Sequence, residues 1–336
     1  MPRCKNKNCP YDKDGRCIEN LLPNCPNLSP DEAISVDQAT SSSAEIKEFP
    51  TGPVFEDLPS GKKLTVTEAT QILQSRPAQV VVLGGMVESG KTTLIARIFE
   101  MLQNNSVANH NFAASRTLAE FDKLSWHATM ESQGASPTTE HTYRSENNHF
   151  LHLRVRAVDN TLTAKDVLVC DIPGEIFPEA VAEERVCLEL CALRRADHLV
   201  LFLDGSVMCK IHERHDPCGK ILDFVDRAMQ TGQIGHHTAL HLVISKCDML
   251  PQVPDDEVLL FVKTAEQSFC ERYAGKFGDL KTWRIAARPV HPVPPTVETI
   301  GEIFGTWIAT SHQNVNGAVE APKRTDFTRD FCRFGL

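Results

Sequence analysis

Residues 79–93 read QVVVLGGMVESGKTT, and the chemistry of the chain changes in the middle of this stretch. Residues 80–83 are valine or leucine, which predicts a short buried strand. Apolar residues then recur at helical spacing, at Leu94, Ile95, Ile98, Phe99 and Leu102. The sequence therefore predicts a strand, a glycine-rich loop and a helix in direct succession.

The loop itself, residues 85–92, matches the pattern G-x-x-x-x-G-K-[ST] in the strand and helix setting that gives the pattern its meaning. Its glycines let the backbone close on phosphate oxygens, and its N–H groups and the helix N-terminus supply partial positive charge. Lys91 adds a full charge where phosphate reacts, and Thr92 offers a hydroxyl to Mg²⁺. The expected nucleotide contacts are Gly85, Val87, Glu88, Ser89, Gly90, Lys91, Thr92 and Thr93. The alternative is an accidental glycine-rich turn.

Length and charge restrict the class of protein. A chain of 336 residues can bury a full α/β core and carry an accessory module. Its formal net charge of -9 argues against a nucleic-acid-binding surface over the whole molecule. No apolar run reaches membrane-spanning length, and the first residues lack the apolar core of a secretion signal. We expect a cytoplasmic protein with no membrane contact.

Four of the twelve cysteines lie in the first 25 residues, at Cys4, Cys9, Cys17 and Cys25. A segment this short cannot bury its own core and needs a cross-link or a metal to hold it. In a reducing compartment, a zinc ion bound by four thiolates is favoured. Unligated thiols, a disulfide or an iron–sulfur site are the alternatives, because the spacing lacks the C-x-x-C of common zinc ribbons.

The rest of the chain divides by composition. Residues 1–27 form the cysteine-rich module, residues 28–62 a polar linker, residues 63–77 a short helix and residues 313–336 a tail. Thr65 and Glu68 form a capping-box pattern that opens the short helix, and Pro77 ends it.

Residues 78–312 alternate apolar strand runs with helical patterns. The runs are FLHLRVRAV (150–158), DVLVCD (166–171), HLVLFLD (198–204), ALHLVIS (239–245) and TWRIAA (282–287). The first two runs are close in sequence and predict an antiparallel hairpin. The whole pattern predicts an α/β domain, a doubly wound and mostly parallel sheet with helices on both faces.

The motif DIPG, residues 171–174, follows one of these strands. It places Asp171 at the carboxyl end of a strand, the edge where open α/β sheets bind ligands. There Asp171 would hold Mg²⁺, and the Gly174 N–H would sense a terminal phosphate. The D-x-x-G pattern is weak alone and gains its meaning from the phosphate loop that precedes it.

Two later strand ends carry Ser245-Lys246-Cys247-Asp248 and Ala286-Ala287. With the phosphate loop and DIPG, they resemble the boxes of the Ras-like, translation-factor-related GTPases, whose base-reading box is [NT]-K-x-D. The resemblance implies a P-loop GTPase fold in which Asp248 pairs with guanine, Lys246 covers the base and an alanine N–H reaches guanine O6. Ser245 replaces the usual Asn, which keeps an ATP-using P-loop enzyme as an alternative.

The same resemblance implies catalytic roles outside the phosphate loop. A threonine between the first helix and the hairpin should close over Mg²⁺, and SPTTEHTYR offers Thr138, Thr139 and Thr142, of which Thr138 fits the pattern best. Glu175 stands where many Ras-like enzymes have a water-orienting glutamine, so we expect slow hydrolysis. The rival is a scaffold that binds GTP without turnover.

The cysteine module, the linker, the short helix and the segment AASRTLAEFDKLSW (113–126) together resemble more closely the bacterial double-GTPases, which are associated with conflict and defence systems. That resemblance implies a GTP-binding and GTP-hydrolysing switch, with Mg²⁺ and zinc as cofactors. It also implies a protein partner that docks on the switch segments or on the cysteine module.

Overall fold

The computed structural model describes residues 3–4, 28–29, 58–130, 148–159, 164–251, 256–289 and 296–309. The chain divides into two compact units, residues 1–56 and 57–336. In the first unit, β1 (Arg3–Cys4) pairs antiparallel with β2 (Leu28–Ser29). Of the four cysteines proposed as zinc ligands, Cys4 lies in β1, and the other three fall outside the described residues.

The second unit is built on one sheet of seven strands among its described residues. The strands are β3 (Ala78–Gly85), β4 (His110–Ala114), β5 (Phe150–Ala157), β6 (Ala164–Asp171), β7 (His198–Asp204), β8 (Ala239–Ser245) and β9 (Asp279–Arg284). Their order across the sheet is β4-β5-β6-β3-β7-β8-β9. β5 and β6 form the predicted antiparallel hairpin, and every pairing from β6 to β9 is parallel. The mostly parallel sheet is confirmed.

Helices cover both faces of the sheet. They are α1 (Val66–Ser75), α2 (Lys91–Asn104), α3 (Leu118–Met130), α4 (Ile176–Ala182), α5 (Glu184–Glu189), α6 (Gly205–Met208), α7 (His215–Gln230), α8 (Glu257–Tyr273) and α9 (Thr296–Ile308). α2, α3 and α9 share one core with Val81 and Leu83 of β3, and the other helices pack with Val80 and Val82. Side chains alternate across a strand, so the apolar β3 is buried on both faces, as a central parallel strand must be. None of the described helices is long and apolar enough to cross a membrane.

The short helix before the phosphate loop begins as predicted. Thr65 Oγ1 accepts a hydrogen bond from the Glu68 N–H at 3.4 Å, and Glu68 Oε2 accepts one from the Thr65 N–H at 2.8 Å. This reciprocal capping box satisfies two N–H groups at the start of α1. Leu64 then bridges to Phe150 of β5, which fixes where α1 lies on the sheet.

Two strand assignments need correction. β4 was not predicted, because HNFAA is a short edge strand whose side chains are mostly exposed and show no apolar alternation. The last strand covers residues 279–284, whereas the sequence prediction was residues 282–287. Ala286 and Ala287 therefore lie beyond the end of β9, in the loop that follows the sheet.

Two buried histidines lie near the amino ends of β7 and β8. His198 Nδ1 is 3.1 Å from His241 Nε2, and Trp283 Nε1 donates to His241 Nδ1 at 3.3 Å. His241 therefore carries its proton on Nε2 and donates it to His198. Burial lowers the pKa of His198 to about 4 and that of His241 to about 3. His198 and His241 thus form a buried, hydrogen-bonded pair.

We predict that this pair makes the fold sensitive to acid. Both histidines have folded pKa values below the value of about 6.5 expected when unfolded, so the unfolded chain takes up protons first as the pH falls. Their contribution to stability is complete above about pH 6.5 and is lost as the pH drops toward 4. Urea unfolding should show a free energy of unfolding lower by about 2–4 kcal/mol at pH 5 than at pH 7.5.

The control for this prediction is the double variant His198→Gln/His241→Gln, whose amides can form hydrogen bonds but do not titrate. Its stability should change much less between the two pH values. The charged neighbours Asp197, Asp279 and Lys281 remain in the variant. An unchanged pH dependence would assign the effect to those neighbours.

Candidate functional site

The phosphate loop connects β3 to α2 as the motif requires. Gly85 is the last residue of β3, Gly90 caps α2 in a left-handed conformation with φ 89°, and Lys91 is the first helical residue. The N–H groups at the start of α2 have no side-chain cap. An uncapped helix N-terminus presents donors and partial positive charge to an anion. The loop therefore has the geometry of an anion site.

Lys91 carries the full positive charge of the loop. The residue is 6% exposed, and its Nζ donates to the carbonyl oxygens of Gly85 and Met86, both at 3.0 Å. Burial lowers the pKa of Lys91, and the nearby carboxylates of Asp171 and Glu175 act in the opposite direction. An ammonium group held this deep, mainly by neutral carbonyls, interacts strongly with a phosphate anion because little water screens it.

The middle of the loop departs from a plain glycine-rich turn. Glu88 adopts φ 61°, a left-handed conformation that costs a residue with a side chain about 1–2 kcal/mol. The side chains of Val87 and Glu88 are exposed, whereas Ser89 is 1% exposed and its Oγ lacks a hydrogen-bond partner among the described residues. Strain and an unsatisfied hydroxyl are both found at ligand-binding turns.

The next element of the site is the end of β6. β6 is the parallel neighbour of β3, as predicted, and Leu83 lies opposite Asp171 in the register. Thr92 Oγ1 donates to Asp171 Oδ2 at 2.7 Å. A hydroxyl and a carboxylate in contact supply the oxygen ligands that Mg²⁺ prefers. The residues present therefore fit a magnesium ion.

The DIPG turn lies directly against the phosphate loop. A Cβ atom on Gly174 would lie 2.4 Å from the Val87 nitrogen and 2.8 Å from the Met86 carbonyl carbon. Only glycine allows two backbones to come this close. Glu175 follows, exposed, at the start of α4, where it makes no side-chain cap. Gly174 is thus in contact with the loop that the sequence assigns to phosphate.

A cavity of about 320 Å³ extends from the phosphate loop to the last two boxes. Of the residues predicted from the sequence, Gly90, Thr93, Ser245, Lys246, Asp248, Ala286 and Ala287 line it. Ser206, Met249, Ile285 and Arg288 also line it and were not predicted. Three of these adjoin predicted residues in the sequence. The position of Ser206 could also have indicated a site residue, because it follows β7 at the edge of the sheet that carries the other boxes.

Backbone contacts bring the two base-box segments together. The Ile285 N–H donates to the Ile244 carbonyl at 2.9 Å, and the Cys247 N–H donates to the Ile285 carbonyl at 3.0 Å. Ser245 is 4% exposed, and its Oγ donates to the Leu203 carbonyl at 3.2 Å. A Cβ built on Gly90 would lie 3.3 Å from Ser245 Cβ, so the box also packs on the phosphate loop. The serine therefore fills a structural position beneath the cavity.

Two predicted groups cannot be placed. Thr138, Thr139 and Thr142 fall outside the described residues, as do three of the four cysteines of the amino-terminal module. In the part of the chain that the structure describes, no three His, Cys, Asp or Glu side chains cluster as metal ligands. The magnesium-closing threonine and the zinc site stay predictions.

Comparisons with known proteins point to one family. The family model described as Double-GTPase 2 matches residues 79–308, more than half of the chain. Among solved structures, the chain is similar to one described as the signal recognition particle receptor SRb-GTP/SRX complex from Chaetomium thermophilum. That similarity has a TM-score of 0.40 and 13% sequence identity, over 69% of this chain and 99% of that one. No curated protein sequence matches.

The contact between Gly174 and the phosphate loop yields a testable prediction. Gly174→Ala would force a methyl group against the backbone of Met86 and Val87, so one of the two segments has to move. We expect the free energy of unfolding to fall by about 1–3 kcal/mol. Urea unfolding measures this.

The matched control is Gly219→Ala on α7, where nothing lies within 4 Å of the new methyl and helix propensity should raise stability by about 1 kcal/mol. Equal effects of the two variants would contradict the contact.

Proposed function

This chain belongs to the Double-GTPase 2 family, and we propose that it is a guanine-nucleotide switch that binds GTP with Mg²⁺ and hydrolyses it slowly. The observation that carries the proposal is one continuous cavity bounded by Gly90 of the phosphate loop, Thr93 of α2 and Asp248 of the base box. A nucleotide has an anionic end and a base joined by a sugar, and this cavity leads from the phosphate loop to the residues suited to the base.

At the phosphate end, the chain supplies charge and backbone donors. Lys91 would leave the Gly85 and Met86 carbonyls for phosphate oxygens, which gives it the stronger, charge-assisted partner. Thr92 and Asp171 would hold Mg²⁺, which neutralises charge between the phosphates when bound. The N–H groups at the start of α2 complete the cradle.

At the base end, Asp248 would accept hydrogen bonds from guanine N1–H and the exocyclic amine. An N–H of Ala286 or Ala287 would donate to guanine O6, while Lys246 covers the ring. These contacts distinguish guanine from adenine, because adenine presents an amine where guanine has O6. Ser245 lines the same cavity, and its bond to the Leu203 carbonyl holds the base box on β7.

For hydrolysis, Gly174 would bind the terminal phosphate and Thr138 would close over Mg²⁺. Glu175 takes the place of a water-orienting amide, and an anionic carboxylate near phosphate is poorly suited to that role. Turnover should therefore be slow. The second candidate function is a scaffold that binds GTP without turnover, and the observation that favours it is this same glutamate beside Lys91.

Base selectivity tests the nucleotide assignment. In competition against a fluorescent GDP analogue, the wild-type chain should prefer GDP to ADP and XDP. Asp248→Asn should weaken GDP binding at least tenfold, because charge-assisted bonds worth about 1.5–3 kcal/mol each are lost. The variant should gain affinity for XDP, whose 2-carbonyl accepts from the asparagine amide.

The matched control is Asp223→Asn, an exposed carboxylate on α7 that does not line the cavity. It should leave all three affinities unchanged. If Asp248→Asn keeps the wild-type order of preference, Asp248 does not read the base. A wild-type preference for ADP would favour an ATP-using enzyme.

Turnover separates the switch from the scaffold. In a single-turnover assay with excess protein and Mg²⁺, GTP should be converted to GDP and phosphate. Lys91→Met, which keeps the length of the stem and loses the charge, should abolish both binding and conversion. Bound GTP that remains intact in the wild type, at full occupancy, would establish the scaffold instead.

We propose a zinc ion for the amino-terminal module, held by Cys4, Cys9, Cys17 and Cys25. Four thiolates complete a closed tetrahedral site, and such a site contributes folding energy to a segment without its own core. Metal analysis of the full chain purified under reducing conditions should find about one zinc per chain. The variant Cys9→Ser/Cys17→Ser should lose it. A wild-type chain without bound metal would contradict the zinc site and favour reduced thiols or a disulfide.

The biological setting is proposed on the family resemblance alone. The switch would act in the cytoplasm of a bacterium, in a conflict or defence system. A protein partner would dock on the switch segments or on the cysteine module and would respond to the bound nucleotide. Co-purification with the chain locked by GDP or by a non-hydrolysable GTP analogue tests this, because a switch requires different partner affinities in the two states.

A further inference from the structure

The end of β7 forms a side of the cavity that none of the four sequence boxes includes. Asp204 is the last residue of β7 and lies opposite Ser245 of β8 in the parallel register. Ser206, two residues later, lines the cavity. The segment 204–206 therefore belongs to the site by position, although the sequence motifs do not mark it.

The Asp204 carboxylate has two separate sets of partners. Its Oδ2 is 2.7 Å from Lys246 Nζ, and its Oδ1 accepts from both the N–H of Ser206 at 2.8 Å and its hydroxyl at 2.6 Å. The carboxylate is 12% exposed, which strengthens its attraction to the ammonium relative to a surface pair. One side chain thus holds two residues of the cavity wall.

The backbone around this pair is fixed as well. Lys246 adopts a left-handed conformation, with φ 49° and ψ 39°, which a lysine takes only when its surroundings impose it. A Cβ atom on Gly205 would lie 2.5 Å from the Ser245 carbonyl oxygen and 2.9 Å from that of Lys246. The glycine after Asp204 is therefore required for the close approach of the two segments.

We propose that Asp204 is a positioning residue for the base: it holds Lys246 in place at the cavity wall before any nucleotide binds. The inference rests on the proposed function, since Lys246 is the residue assigned to cover the base. A free lysine side chain has many rotamers, and ordering it on binding reduces affinity. A lysine already held by Asp204 avoids that loss. Asp204 itself touches neither base nor phosphate in this assignment.

The test is a double-mutant cycle on binding of GDP. Asp204→Asn keeps a side chain that can cap Ser206 but removes the charge that holds Lys246. It should weaken GDP about three- to tenfold, which is the cost of ordering one long side chain. Lys246→Met should weaken GDP too, and adding Asp204→Asn to it should cause no further loss. Additive losses in the double variant would overturn the proposal.

Inorganic pyrophosphate with Mg²⁺ is the second probe, because it occupies the phosphate loop and leaves the base cavity empty. Asp204→Asn should bind it as the wild type does. An equal loss of pyrophosphate and GDP affinity would show a merely structural role for Asp204 and overturn the proposal. If Asp204→Asn fails to fold, Asp204→Ser, which also caps, serves in its place. Unchanged GDP affinity in a folded variant would likewise overturn it.

Failure of the positioning role of Asp204 can be distinguished from failure of the proposed function. Preference of the wild type for GDP over ADP tests the GTPase assignment, and that measurement does not involve Asp204. If the wild type selects guanine while Asp204→Asn binds GDP normally, only the positioning role fails. Asp223→Asn again serves as the matched control, since it removes a carboxylate from an exposed helix position away from the cavity.

Discussion

The parallel pairing of β3 with its two neighbours is the constraint on which the site depends. β3 lies between β6 and β7, with Leu83 opposite Asp171 on one side and Gly85 opposite Phe202 on the other. Because the three strands run in the same direction, their carboxyl ends reach the same edge of the sheet. A slip of one residue would reverse which face each side chain meets and would separate Thr92 from Asp171.

The sequence could predict the parts of the molecule where one residue type has one physical use. The run of valines, the glycines of the loop and the capping box each indicate a local structure by themselves, and the structure contains all three. β4 could not be predicted, because an edge strand with exposed side chains has no periodic signal. The end of β9 was misplaced for a related reason: Ile285 and Ala286 are buried although the strand has ended, and Ile285 packs in the core that α2 and α9 share.

Some residues of the candidate site could likewise be predicted from a motif, and others are brought together only by the fold. Lys91, Thr92 and Asp171 could be named from motifs, because their chemistry requires those residue types in that order. Ser206 and Arg288 match no motif, and only their positions, after β7 and beside Ala287, could have indicated them. The Asp204 contact with Lys246 joins residues 42 positions apart. Only the parallel register of β7 and β8 makes them neighbours, so the sequence alone gives no reason to connect them.

Buried polar side chains lie at both edges of the sheet, and their partners differ from one edge to the other. At the amino edge, His152 donates from Nε2 to Asp166 at 2.8 Å and accepts the Arg116 N–H, so each of its ring nitrogens has a protein partner. The His198 and His241 pair is also buried, and of its four ring nitrogens only His198 Nε2 has no hydrogen-bond partner among the described residues.

At the carboxyl edge, by contrast, the ammonium of Lys91 rests on carbonyls and Ser89 Oγ has no partner among the described residues. An under-satisfied buried polar group costs stability, and at the carboxyl edge a bound phosphate would supply the missing bonds. The pairing of His152 with Asp166 therefore belongs to the packing of the sheet, whereas the carboxyl edge is where we propose that the nucleotide binds.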